Sequence, residues 1–158
     1  MAIKRFTLPK PLTLPLGLVP SSLHSRMMVL ALNRIFAALI RSGELDFLAN
    51  KIVCIKLRDA GVALRARLLI DSFEACQDAA PSDVTISGDV YDFLLLATRK
   101  EDSDTLFFQR RLCIEGDTAL GLELKNRLDA LELADLRLAA PVQRLFKHAH
   151  GVADRLFG

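Results

Sequence analysis

Three histidines, three cysteines and a scatter of carboxylates are the residues on which chemistry could rest, and their spacing assembles none of them into a working set. His148 and His150 lie two apart in a helical pattern, so they face different ways and cannot chelate one metal together. His24 stands alone near a helix start and reads as structural or solvated. Cys54, Cys76 and Cys113 are odd in number and irregularly spaced, each within or beside an apolar stretch. That argues against a disulfide framework or a CxxC-type metal site, and for buried thiols in a reducing compartment. Asp102 and Asp104 fall in a polar stretch, where carboxylates are usually solvated.

Nucleophile elbows, phosphate loops, HExxH helices and dinucleotide fingerprints are all missing. Ile86-Ser87-Gly88-Asp89 and Ile114-Glu115-Gly116-Asp117 superficially resemble phosphate nests. An Asp at the start of the following helix would already occupy the anion position. No catalytic residue, metal site or cofactor is therefore expected, and the chain reads as a binding protein rather than an enzyme.

Composition agrees with binding. Hydrophobic residues make up 51% of 158 positions and mean hydropathy is +0.28, yet there is no Trp and only one Tyr. A surplus of Leu, Ala, Ile and Val means a crowded core, an internal cavity, or a face that meets lipid or protein. Net charge is +2, and no basic run is interleaved with aromatics, so nucleic acid is not an expected partner. Pro9, Pro11, Pro15 and Pro20 break the apolar stretch after Met1–Arg5, which excludes a secretory signal. Arg26, Asn33 and Arg34 keep the following apolar run from spanning a bilayer. A cytoplasmic protein is expected.

The positioning elements follow from periodicity. Residues 1–20 read as a proline-stiffened arm, and residues 21–43 as an apolar helix N-capped by Ser21 or Ser22. That helix is apolar on most of its circumference, so it needs covering by the core, a second subunit or a membrane surface. Residues 51–58 form a strand with Val53, Ile55 and Leu57 on one face. Residues 62–70 form a second, with Val62, Leu64, Ala66, Leu68 and Ile70 on one face and Arg65 and Arg67 on the other. A third strand is expected within 72–77.

A strand ending at Gly88 leads into a helix over 90–99, and a strand over 109–115 leads into a helix over 118–131. In both turns the glycine is expected to permit a tight exit and the Asp to cap the helix. Pro141 opens a last, strongly amphipathic helix over 141–157, whose Leu145, Phe146, Leu156 and Phe157 suit a partner, a membrane surface or the domain itself.

The order SGD, helix, polar loop, Phe107-Phe108-Gln109, strand, EGD, helix resembles the sterol carrier protein type-2 superfamily over residues 45–131. Within it, FFQRRLCIEGDTALGLELKN and the arm LPKPLTLPLGLVP resemble the accessory factors of oxygen-independent ubiquinone biosynthesis. The resemblance implies an α/β (α+β) domain: a mostly antiparallel sheet of about five strands, helices covering one side, and an apolar cavity between the layers. It also implies a lipid partner, either an isoprenoid quinone precursor or a phospholipid, presented to UbiU- and UbiV-like hydroxylases.

On polarity and placement, Phe93 and Leu94, Phe107 and Phe108, Leu112 and Ile114, and Leu120 and Leu124 are the expected lipid-binding residues. Whether such a cavity is open or filled by side chains is left undecided, as is a homodimer or peripheral membrane contact. The competing reading is a solid-cored scaffold that gathers partner enzymes through its apolar terminal helices.

Overall fold

The computed structural model describes residues 18, 20–76, 80–97 and 99–130. Residues 1–17 and 19 of the proline-rich arm and the 141–157 segment, with Leu145, Phe146, Leu156 and Phe157, lie outside the described residues.

The chain opens with helix α1 (Ser21–Ile35), which the Pro20 carbonyl starts by accepting from the N–H groups of Leu23 and His24 at 3.0 and 3.3 Å. Pro20 is the N-cap and no side chain caps this end, so the expected serine cap is replaced by Ser21 as the first helical residue. The apolar run is also two helices rather than one. Phe36 leaves helical geometry (φ −95°, ψ 4°), and a short helix α2 (Ala37–Ser42) follows. It ends on Gly43 in the left-handed region, as a glycine C-cap should. A single 3-10 turn, Asp46–Leu48, carries the fully buried Leu48 into the sheet.

Five strands form one sheet: β1 (Ile52–Leu57), β2 (Val62–Leu68), β3 (Phe73–Ala75), β4 (Val84–Gly88) and β5 (Cys113–Gly116). Their spatial order is β3-β2-β1-β4-β5, antiparallel throughout except for the parallel pair β1/β4. Register aligns Ile55 with Leu64 on one side and Ile86 on the other, and Ile86 with Ile114. Because side chains alternate with period 2, Val53, Ile55, Leu64, Ala66, Val84, Ile86 and Ile114 share one face. Arg65, Arg67, Thr85 and Glu115 share the other.

Strand β2 stops at Leu68, so Ile70, expected on the buried face, lies in the following turn and is 99% exposed.

Helix α3 (Val90–Ala97) follows β4, and α5 (Thr118–Ala130) follows β5. Between them the polar stretch folds as helix α4 (Ser103–Phe108), where a loop and the start of a strand were expected. The cause is local: the Asp102 carboxylate accepts from the Thr105 N–H at 2.8 Å and the Thr105 hydroxyl at 2.5 Å, an Asp N-cap. The helix then unwinds through residues 109–112, with the Leu112 N–H returning to the Leu106 carbonyl at 3.1 Å. Only four residues remain for β5, and Leu112 precedes it.

The two glycine turns are built for different reasons. Gly116 sits at φ +84°, which favours glycine, and the next N–H, of Asp117, donates to the Asp83 carbonyl at 2.8 Å. Gly88 needs no special φ; a Cβ there would lie 2.4 Å from Leu112 Cδ2 and 3.2 Å from Phe93 Cε2. The expected tight exit therefore holds at Gly116, whereas Gly88 is small so that neighbours can approach. Asp117 caps α5 through the Leu120 N–H at 3.0 Å, while the first N–H of α3, from Val90, is taken by Asp59 at 3.0 Å.

The main core gathers Leu45, Leu48, Val53, Ala66, Phe73 and Val84 between the sheet and the helices. A smaller cluster of Leu95, Leu106 and Leu112 lies under α3 and α4, beside the buried ion pair of Arg111 with Asp92.

Candidate functional site

The helices reach the sheet at opposite edges. Helix α1 packs on β2 and β3, and α5 packs on β4 and β5. Asn33 fixes the first contact by bonding the β3 edge twice: its amide nitrogen donates to the Phe73 carbonyl at 3.1 Å, and its amide oxygen accepts from the Phe73 N–H at 2.6 Å. Phe36 adds a tilted ring contact with Phe73, centroids 6.1 Å apart. On the other side, Gly121 lets α5 lie close, because a Cβ there would meet Ile114 Cγ2 at 2.4 Å and Val84 Cγ2 at 3.0 Å. With the roof landing on both edges, the space above β1 stays open among the described residues.

That space is a cavity of about 730 Å³, toward the upper part of the ~300–1,000 Å³ range of small-molecule sites. Its floor is Val53, Ile55, Leu64, Phe73 and Ile86, and its roof is Met28, Leu32 and Phe36. Phe93 and Leu96 of α3, Phe107 of α4 and Leu124 of α5 close the sides. Transfer of an alkyl or prenyl chain onto such a surface is favourable by ~0.8 kcal/mol per buried CH₂ and needs no directional contact. Among the described residues the interlayer is therefore open rather than filled by side chains.

One end is different. Arg99, Glu101, Asp102, Ser103, Asp104, Lys125 and Asp129 border the cavity where α4 meets α5. The Lys125 side chain is only 8% exposed, and its ammonium bonds Asp104 at 2.6 Å and Asp129 at 2.9 Å. The Ser103 hydroxyl donates to the same Asp129 oxygen at 2.7 Å. Burial pushes the Lys125 ammonium down, but the bonds to Asp104 and Asp129 outweigh it and hold its pKa above the ordinary value of 10.5. The hydroxyl and N–H of Thr105 hold the Asp102 carboxyl below its ordinary 3.8.

Of the eight residues expected to bind lipid, Phe93, Phe107 and Leu124 border the cavity. Ile114 and Leu120 pack into the main core beside it. Leu112 belongs to the second cluster, 1% exposed, because it lies before β5 and turns under α4. Phe108 is 92% exposed, since a helix rather than a strand places it on the side opposite the core. The side chain of Leu94 lies outside the described ones. The floor and roof were missed as site residues, although the alternation of β1 and of β2 up to Leu68 and the apolar character of the N-terminal helical run are as expected. The missing signal was pairing: nothing local says that β1 lies at the centre of the sheet, under the gap.

Among the described residues no group of three or more His, Cys, Asp or Glu could hold a metal, and no helix is long and apolar enough to cross a membrane.

A five-stranded sheet with helices on one face and an apolar cavity beneath them is an α/β architecture with an interlayer pocket, and the model of the SCP-2 sterol transfer family matches residues 32–129: the chain belongs to that family. Its more particular likeness is to the ubiquinone biosynthesis accessory factor UbiT of Escherichia coli strain K12, 40% identical over 128 residues, which cover 81% of this chain and 73% of that protein. UbiT of Escherichia coli O157:H7 matches equally. Among solved structures, the UbiJ-SCP2 ubiquinone synthesis protein superposes with a TM-score of 0.56 at 16% identity, over 70% of this chain and 97% of that one, which establishes the shared fold.

Proposed function

We propose that this chain is a non-catalytic, cytoplasmic accessory factor of ubiquinone biosynthesis that holds polyprenylated intermediates of the oxygen-independent pathway and presents them to UbiU- and UbiV-like hydroxylases. The observation that carries the proposal is the 730 Å³ cavity with an apolar floor and roof. The likeness to UbiT supplies the pathway. Holding the prenyl chain between the sheet and α1 leaves the ring near the polar end of the cavity. Organic extraction of the purified protein followed by mass spectrometry tests the reading. Recovery of stoichiometric prenylated phenol or quinone supports it. No lipid in the extract, and no uptake of added prenylphenol, sinks it.

A scaffold role through the terminal helices draws support from Leu23, Met27 and Leu30, which recur at helical spacing on α1 and are 48%, 63% and 70% exposed. Removing residues 141–158 separates the readings. A scaffold loses partner capture and keeps lipid, whereas a lid helix loses lipid.

A further inference from the structure

The charged end of the cavity carries information about the headgroup that the apolar walls cannot. Among the described residues two cations, Arg99 and Lys125, and four carboxylates, Glu101, Asp102, Asp104 and Asp129, border it, an excess of negative charge. Lys125, its buried cation, is already matched by two carboxylates at 2.6 and 2.9 Å. A phosphate or carboxylate headgroup brought here would have to displace one of them from the buried ammonium and would add a further negative charge beside the carboxylates. Repulsion between like charges, weakened by solvent at the exposed carboxylates, disfavours such a headgroup. An uncharged hydroxyl adds no charge. It can donate to a carboxylate and accept from the ammonium, whose three N–H donors are not exhausted by two partners.

We infer that the Asp104–Lys125–Asp129 end of the cavity selects amphiphiles whose headgroup is an uncharged hydroxyl, phenolic or alcoholic, and turns away those with an anionic headgroup. The inference rests on the lipid-holding reading above and narrows it to one headgroup class. Asp104 is the adjustable element. Its side chain is 85% exposed, so it can be changed without opening the core, whereas Lys125 is buried beside Leu124.

The test compares two probes of equal chain length, an alkylphenol and an alkyl carboxylate, by displacement of a fluorescent lipid at neutral pH. The wild-type protein should bind the phenol at least about tenfold more tightly. Asp104→Asn combined with Asp129→Asn should bring the two probes close to parity by improving the carboxylate. Asp104→Asn alone, which leaves the buried groups in place, should shift the ratio in the same direction by a smaller factor. Equal or tighter binding of the carboxylate by wild type overturns the inference, as does a ratio that none of the variants moves. Failure of both probes to bind would instead count against the lipid-holding reading itself.

Discussion

Gly88 and Leu112 approach so closely that a methyl group on Gly88 would sit 2.4 Å from Leu112 Cδ2. The last residue of β4 and the residue before β5 thereby close the small core beneath α3 and α4. The α4 segment that lines one side of the cavity is anchored through that core, by Leu106 and Leu112. Gly88→Ala should destabilise the protein by about 1–3 kcal/mol, the usual range for overpacking. Urea denaturation measures this, and a change under about 0.5 kcal/mol would mean that Leu112 moves aside freely.

Arg111 and Asp92 form an ion pair in which both side chains are at least 94% buried, and one Arg111 nitrogen, Nη1, finds no partner among the described residues. Removing one member strands the other charge. Asp92→Asn or Arg111→Met alone should therefore cost about 3–5 kcal/mol, whereas a double replacement by apolar residues of similar volume should recover most of that loss. A double-mutant cycle by thermal unfolding checks the prediction; additive single effects would contradict it.

Asn33 ties the cavity roof to the β3 edge through two backbone bonds of Phe73. Asn33→Ala leaves a part-buried N–H and carbonyl without their partner, at about 1–3 kcal/mol. Met28, Leu32 and Phe36 move with α1, so bound lipid should also exchange faster. Stopped-flow transfer to vesicles reads this; an unchanged off-rate would show that α1 is held by packing alone.

The Lys125 ammonium, with its pKa raised above 10.5 by Asp104 and Asp129, contributes stability that is fully present below its unfolded value and is lost as pH rises through the raised folded value. Thermal midpoints of wild type should fall through this alkaline window more steeply than those of Lys125→Met. Parallel profiles would place the alkaline transition elsewhere.

Much of this arrangement was legible from local pattern. The alternation over residues 51–58 and 62–70 specified two strands and their apolar face, and the SGD and EGD turns placed the helices that follow. What escaped was decided by a short-range competition or by tertiary placement. Asp102 and Thr105 converted a polar loop into a helix, and that single cap moved Leu112 out of β5 and turned Phe108 to the surface. Asn33 looked like an interruption of an apolar run, because nothing nearby announces the β3 edge it bonds 40 residues away. The cavity floor was hidden for a similar reason: the side chains of β1 were visible, but its central place between β2 and β4 was not.

The proposed function requires the space above β1 to hold an apolar ligand. Leu64→Trp, on the β2 part of the floor, fills that space with a side chain suited to a strand. The decisive experiment is uptake of a prenylated phenol by the purified variant, measured against wild type. The variant should fold with an unchanged or raised thermal midpoint and show uptake reduced by about tenfold or more. Wild-type uptake by a folded Leu64→Trp protein would show that the ligand lies elsewhere.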